Sequence, residues 1–325
     1  MKVAVYYNNC DIRLEERPVP KIGEGEILVK VRASGICGTD VMEWYRIKKA
    51  PRILGHEISG DVVESNSPEY QTGQRVFVSH HVPCYTCKYC KEGHPTACET
   101  LHTGNYDPGG YSEFVRVPKI NVDHGVYVLP ENVSYEEGTM IEPLACVLRG
   151  QEAIGVKKGQ TVLILGCGIS GLLNIWVAKL HGAKVISTDT EECRREKAKA
   201  CGADEVFDPK NLPTIKAEKV ILCTGALPAV KQAFQSLDRK GTLLLFAIPE
   251  TDIQFPTVDL WRNEMTVTSS YGAAPDDLEN ALRLISEGKI PAKDLITHKL
   301  PLAKIQEGFR LVTDAKQTLK VVLLP

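Results

Sequence analysis

Four cysteines fall within fifteen residues, in CYTCKYCKEGHPTAC from Cys84 through Cys87 and Cys90 to Cys98, spaced C-x2-C-x2-C-x7-C. Thiolates this close along a chain can each come within about 2.3 Å of one ion with little strain, and four of them close a tetrahedral zinc site. A site filled by four protein ligands has no position for substrate or water, so its ion stabilises a lobe and the chemistry lies elsewhere. An iron–sulfur cluster is the competing occupant, because four cysteines hold one as well.

A second set of donors stands upstream. GICGTD over 35–40 and GHEISG over 55–60 supply Cys37, His56 and Glu57, a thiolate, an imidazole and a carboxylate, which is a mix suited to zinc. Taken alone the trio leaves a bland account open, since buried cysteines and hydrogen-bonded core histidines are commoner than ligands. Downstream, IEPLAC places Glu142 where a loop is expected to reach the same ion. A Cys/His/Glu set with fewer than four permanent ligands leaves a vacancy. There a substrate oxygen is polarised, and the pKa of an alcohol falls as that of bound water does.

TVLILGCGISGLL gives Gly166-x-Gly168-x-x-Gly171 directly after an apolar run and at the head of a helical pattern, with Ile169 and Ser170 inside the motif. Gly166 is expected to turn tightly, Gly168 to let a pyrophosphate approach the backbone, and Gly171 to allow close packing of helix on strand. The pyrophosphate then meets the positive end of that helix. The next apolar run, AKVISTD, ends at Asp189, eighteen residues beyond Gly171. A carboxylate there accepts hydrogen bonds from the adenosine ribose hydroxyls and repels a 2′-phosphate, which favours NAD over NADP. Arg194 and Arg195 follow and are read as solvated surface charges.

The elements that must position these groups follow from the texture of the chain. A length of 325 residues exceeds what one core usually organises, so two domains are expected. The first 150 residues carry short β-type runs such as EILVKVRA, GDVVES and QRVFVSH, broken by Gly, Pro and Asn, and read as an irregular β region. From about residue 155 strands alternate with helices, which indicates βαβ units and a doubly wound parallel sheet buried on both faces. The C-terminal piece, with the amphipathic DDLENALRLISEGKI and the strand-like LKVVLL, is too short to fold alone and is expected to rejoin the first domain. The resulting division is 1–150 with 272–325, and 151–271. A net charge of −2 and the lack of a basic run argue against nucleic acid and against an anionic membrane surface as partner. No apolar run reaches the roughly 20 residues that span a bilayer, and no secretion signal is evident, so a cytoplasmic protein is expected. In that reducing compartment eleven cysteines are not a disulfide framework, and Cys10, Cys193 and Cys201 are read as incidental.

GICGTD, GHE, the four-cysteine lobe, EPLA and GCGISG, in this order and at these separations, together with SSYG and the LKVVL ending, resemble the zinc-dependent medium-chain dehydrogenase/reductase family along nearly the whole chain. The likeness is greatest to its sorbitol (polyol) and threonine dehydrogenase branches. The resemblance implies an α/β architecture, with a GroES-like irregular β catalytic domain and a Rossmann nucleotide-binding domain. It implies Cys37 and His56 as catalytic zinc ligands, Glu57 as a ligand or a close carboxylate exchanging with water, and Glu142 as third ligand, bound directly or through water. Thr39 takes the hydroxyl role that accepts the substrate proton, and Asp40 fixes histidine geometry. Cys84, Cys87, Cys90 and Cys98 match the structural zinc lobe, giving two zinc ions per chain. Lys320 matches the basic residue directed at the cofactor pyrophosphate. One departure stands out: the histidine that relays the proton in many relatives is replaced by Met42.

The activity implied is reversible, NAD(H)-linked oxidation of a secondary alcohol in a polyol, sugar alcohol or similar small hydroxy compound to a ketone, in the crevice between domains of a homodimer or homotetramer. A threonine-type or primary alcohol dehydrogenase on the same scaffold is the nearest alternative. A metal-free reductase cousin predicts no Cys37/His56 pair. A non-enzymatic zinc module wants basic residues on the cysteine lobe, where Lys88, Lys91 and Glu92 make only a mild excess. Trp44, Tyr45 and Arg46 follow the catalytic loop and are read as possible pocket lining, with Arg46 raising the thought of an acidic substrate.

Overall fold

ILVKVRASG over Ile27–Gly35 is apolar and β-branched enough to be covered on both sides, and it forms an interior strand of a seven-stranded sheet. The computed structural model describes residues 1–325, and the chain divides into two compact units: Met1–Ala145 with Ala273–Pro325, and Cys146–Gly272.

In the first unit the sheet runs in the order Ile296–Pro301, Lys320–Leu324, Ile27–Gly35, Glu57–Ser65, Arg75–Ser79, Val126–Val128, with Phe114–Val117 also paired to Ile27–Gly35. One side of its core is built from Ile27, Val29, Val31, Ile58, Val62, Val76, Val78, Val115 and Val117. A second cluster, with Val3, Val5, Tyr6, Ile36, Tyr111, Phe309, Val321 and Leu323, sits where a three-stranded sheet of Asp11–Glu16, Lys2–Asn8 and Arg52–Ile53 packs. Each such side chain taken from water stabilises the unit by about 1.5–3 kcal/mol, enough to hold an irregular chain path in place. The C-terminal segment belongs to this unit through the antiparallel pairing of Val322 with Gly35 and Leu323 with Ser34.

In the second unit six strands pair in parallel in the order Glu205–Phe207, Lys184–Thr188, Thr161–Leu165, Ala217–Leu222, Leu237–Leu245, Thr266–Ser269. Val162, Leu163, Ile164 and Leu165 are all fully buried, as strands covered on both faces require. Sequence order runs outward from Thr161–Leu165 to one edge and then jumps back across it to Ala217–Leu222. The carboxyl ends of those two neighbours are therefore the switch point, where ligands bind in sheets of this kind. Its helices, Ile169–Leu180, Glu192–Ala200 and Leu227–Ser236, fall close to the periodic segments of the sequence. No helix of the chain is long and apolar enough to cross a membrane.

Candidate metal centre and nucleotide loop

Strand register brings the first donor set together. Gly35 is the cross-strand partner of Glu57, so Cys37, two residues beyond Gly35, and His56, next to Glu57, emerge at the same end of the paired strands. The Ile36 amide donates to the Val321 carbonyl at 2.9 Å, which fixes the chain just before Cys37. Gly35 itself is dictated by space: a Cβ there would fall on the Glu57 carboxylate and 2.8 Å from Cε of Lys320. Cys37 then caps a short 3₁₀ turn, Gly38–Val41, in a reciprocal box with Asp40.

Donor atoms of Cys37, His56 and Glu57 lie within 4.8 Å of one another. Burial opposes a charged imidazole at His56, yet the opposing fields of Asp40, Cys37 and Glu142 and a hydrogen bond with Cys37 prevail and push its pKa up to about 10. Such a pocket attracts positive charge, and a divalent cation would take the place that a proton otherwise fills. Glu57 Oε1 is buried without a hydrogen-bond partner. The residues present therefore fit zinc. Glu142, in the first turn of Ile141–Ile154 and 8% exposed, is outside the 4.8 Å set but close enough to act on His56.

Around these donors the hydrogen bonds are specific. Asp40 is fully buried and accepts from Tyr111 Oη at 2.6 Å, Arg46 Nη2 at 3.2 Å and the Cys37 amide at 3.2 Å, while His56 Nδ1 lies 3.6 Å from it. The Thr39 hydroxyl donates to Cys37 Sγ at 3.3 Å and accepts from Arg46 Nη2 at 2.9 Å. Sequence reasoning left Arg46 between pocket lining and packing, and its guanidinium bonds to the Thr39 backbone and to the side chains of Thr39 and Asp40. Lys320, expected at the pyrophosphate, is 1% exposed and donates to the Glu57 carboxylate. His80 and His81 were missed altogether. The His80 ring is 5.0 Å from that of His56 and 3.6 Å from that of His81, and burial together with neighbouring positive charge holds both well below the usual imidazole range. The signal for them was present, an HH pair directly after the apolar strand RVFVS.

Cys84, Cys87, Cys90 and Cys98 also place their sulfurs within 4.8 Å of one another, and none is in a disulfide. The Cys87 amide and the Thr86 hydroxyl both donate to Cys84 Sγ, at 3.4 and 3.3 Å, and the Cys84 amide donates to Cys98 Sγ at 3.4 Å. Hydrogen bonds from Thr86 and Cys87 lower the Cys84 thiol to about 5, whereas burial raises Cys90 to about 12. Four convergent sulfurs, solvated by amides that stabilise thiolate, fit one tetrahedral ion.

In the nucleotide loop Gly166 has φ +95°, and a Cβ on Gly171 would collide with the Gly166 carbonyl, so helix and strand meet backbone to backbone. Ile169, Ser170 and Gly171 begin the helix Ile169–Leu180, whose first amides have no acceptor within it and face an incoming anion. Asp189, 8% exposed, accepts from the Cys167 amide at 2.7 Å and the Glu191 amide at 2.9 Å, so its carboxylate braces the loop at the adenosine end. Arg194 and Arg195 are half-buried and tied to Asp189 and its neighbour. Arg194 lies 3.9 Å from Asp189 with an 18% exposed side chain, and Arg195 donates to the Asp189 and Thr190 carbonyls at 2.8 Å.

Residues 23–130 match the alcohol dehydrogenase GroES-like domain and residues 170–287 match the zinc-binding dehydrogenase family. The chain is 30% identical to the L-galactonate-5-dehydrogenase of Escherichia coli, covering 99% of this chain and 98% of the relative. The chain belongs to the zinc-dependent medium-chain dehydrogenase/reductase family. It is an oxidoreductase with the GroES-like and Rossmann-type domains of that family. The sorbitol dehydrogenase of Halalkalibacterium halodurans is 32% identical over 96% of this chain and 95% of its own. Among solved structures, a zinc-binding dehydrogenase from Sinorhizobium meliloti bound to NADP superposes with a TM-score of 0.88 at 28% identity, covering 100% of this chain and 99% of that one.

Proposed function

We propose that this dehydrogenase oxidises a secondary alcohol of a polyol, sugar alcohol or related hydroxy compound to the ketone, reversibly and with NAD. The observation that carries this reading is the open donor set of Cys37, His56 and Glu57 in a pocket whose field draws a cation. Names of relatives that act on sorbitol and galactonate support the substrate class.

Cys37 and His56 would hold the catalytic zinc, with Glu57 and Glu142 as the exchangeable carboxylates, and Cys84, Cys87, Cys90 and Cys98 would hold a structural zinc. When bound, the catalytic ion would supply Lewis acidity toward the substrate hydroxyl and NAD would supply a hydride acceptor. Thr39 Oγ1, fixed beside Cys37 Sγ, receives the hydrogen bond of the substrate hydroxyl. Gly166, Gly168, Ile169, Ser170 and Gly171 seat the pyrophosphate on the helix end, and Asp189 takes the ribose hydroxyls. The carboxylate at Asp189 favours NAD, although one structural neighbour binds NADP. Lys320 acts at this centre through Glu57 and not as a free cation. The protein is read as a cytoplasmic homodimer or homotetramer, in keeping with eleven free cysteines.

NAD reduction with a panel of polyols and simple alcohols, together with metal counting on the wild type and Cys37→Ser, tests the reading. The expected outcome is turnover of secondary alcohols and about two zinc ions per chain, falling to about one with activity lost in the variant. Full activity in Cys37→Ser would remove that residue from the mechanism.

A further inference from the structure

The strongest unexplained contact near the metal donors is that of Arg46. Its Nε donates to the Thr39 carbonyl at 3.0 Å, and its Nη2 donates both to Thr39 Oγ1 at 2.9 Å and to Asp40 Oδ1 at 3.2 Å. The side chain is 17% exposed, and its guanidinium carbon lies 5.0 Å from the centroid of the Tyr45 ring. Three bonds from one planar fork onto two consecutive residues leave little rotational freedom at Thr39.

Guanidinium only donates and stays protonated at any working pH. Thr39 Oγ1 is therefore the acceptor in this pair, and its single hydrogen is directed elsewhere, in this structure to Cys37 Sγ. A hydroxyl oxygen accepts two hydrogen bonds. Arg46 takes one, and the other is left for the hydroxyl of a substrate. Asp40 Oδ2 has Tyr111 and the Cys37 amide as donors, whereas Arg46 donates to Oδ1, which otherwise faces His56 Nδ1 at 3.6 Å. The loop residue that many relatives use as a relay, here Met42, offers neither donor nor acceptor of comparable strength.

We propose that Arg46 is a positioning residue for catalysis: it clamps the Thr39 hydroxyl so that the remaining lone pair faces the substrate. This rests on the reading of Thr39 as the group that meets the substrate hydroxyl. Lysine would keep the charge but cannot make the Nε and Nη2 contacts together.

The test uses the zinc-loaded protein and its cobalt(II)-substituted form, with Arg46→Ala, Arg46→Lys, Thr39→Val and Thr39→Val/Arg46→Ala. In turnover, Arg46→Ala lowers kcat about 10- to 100-fold, the loss of one charged hydrogen bond, while KM for alcohol and NAD stays within about twofold and zinc content holds. Arg46→Lys recovers little, added guanidinium ion restores part of the rate to Arg46→Ala, and the double variant is no slower than Thr39→Val. In the cobalt form the thiolate-to-metal absorption band of Cys37 moves in Arg46→Ala as it does in Thr39→Val, because both release the hydroxyl from the sulfur. Additive losses in the double variant, or an unmoved band in Arg46→Ala and Arg46→Lys beside a moved one in Thr39→Val, would overturn the proposal. A wild type inert towards every alcohol refutes the functional reading instead, and the band still decides whether Arg46 holds the hydroxyl.

Discussion

Lys320 and Glu57 form a buried ion pair, with side chains 2% and 1% exposed, joining residues 263 apart in sequence across the strand Ile27–Gly35. Removing one partner of such a pair leaves the other charge in a dry site, which typically costs about 3–5 kcal/mol. Lys320→Met should therefore lower stability by roughly that amount in denaturant titrations. Lys320→Met/Glu57→Leu should recover most of it, while zinc content separates the loss of fold from the loss of a metal-side carboxylate.

Gly35→Ala places a methyl against Glu57 and Lys320 at once. Both neighbours are pinned to each other, so the strain is relieved only by opening the pair. The expected result is a loss of roughly 1–3 kcal/mol together with weaker zinc retention. A variant with unchanged melting temperature and metal content would show that the strands part at little cost.

Acid should strip the cysteine lobe. The folded Cys84 thiol is held at about 5 against an ordinary value of 9.0, chiefly by hydrogen bonds from Thr86. The sign follows from the depressed value: the contribution is complete above 9, persists at neutral pH, and disappears as pH falls through about 5. Zinc release to a chromogenic chelator should rise steeply on that descent, and Thr86→Val should move the release to higher pH. Release that did not depend on pH between 7 and 5 would contradict the assignment.

Asp189→Asn keeps an acceptor for one backbone amide but loses the charge that discriminates at the ribose. NADH binding followed by fluorescence should weaken about 10- to 100-fold, the worth of a charge-assisted hydrogen bond, and NADPH binding much less. Equal weakening of both would assign the residue to bracing the loop alone.

Much of this architecture was legible because the motifs carry local geometry. GCGISG after TVLIL and the four-cysteine spacing each specify a turn or a loop within a few residues, and the structure places those residues where such geometry requires. The Arg194 and Arg195 side chains were misjudged because helix position alone does not reveal that Asp189 and its neighbours supply carbonyl and carboxylate partners. Tyr111 was not assigned from sequence, and Lys320 was expected at the cofactor pyrophosphate and not beside Glu57. Their partners Asp40 and Glu57 are 71 and 263 residues away, and only the tertiary fold brings them into contact. His80 was readable as a pair with His81 but not as a neighbour of His56, for the same reason.

The register that seats Val322 opposite Gly35 also sets an order of events during synthesis. Glu57 leaves the ribosome 263 residues before Lys320, a delay of roughly 13–50 s at ordinary elongation rates. The second unit, being one continuous stretch from Cys146 to Gly272, emerges whole within that interval and can close by itself. The metal-side carboxylate must wait without its cation until the strand Lys320–Leu324 arrives, so the nucleotide fold matures first and the centre for zinc is finished last.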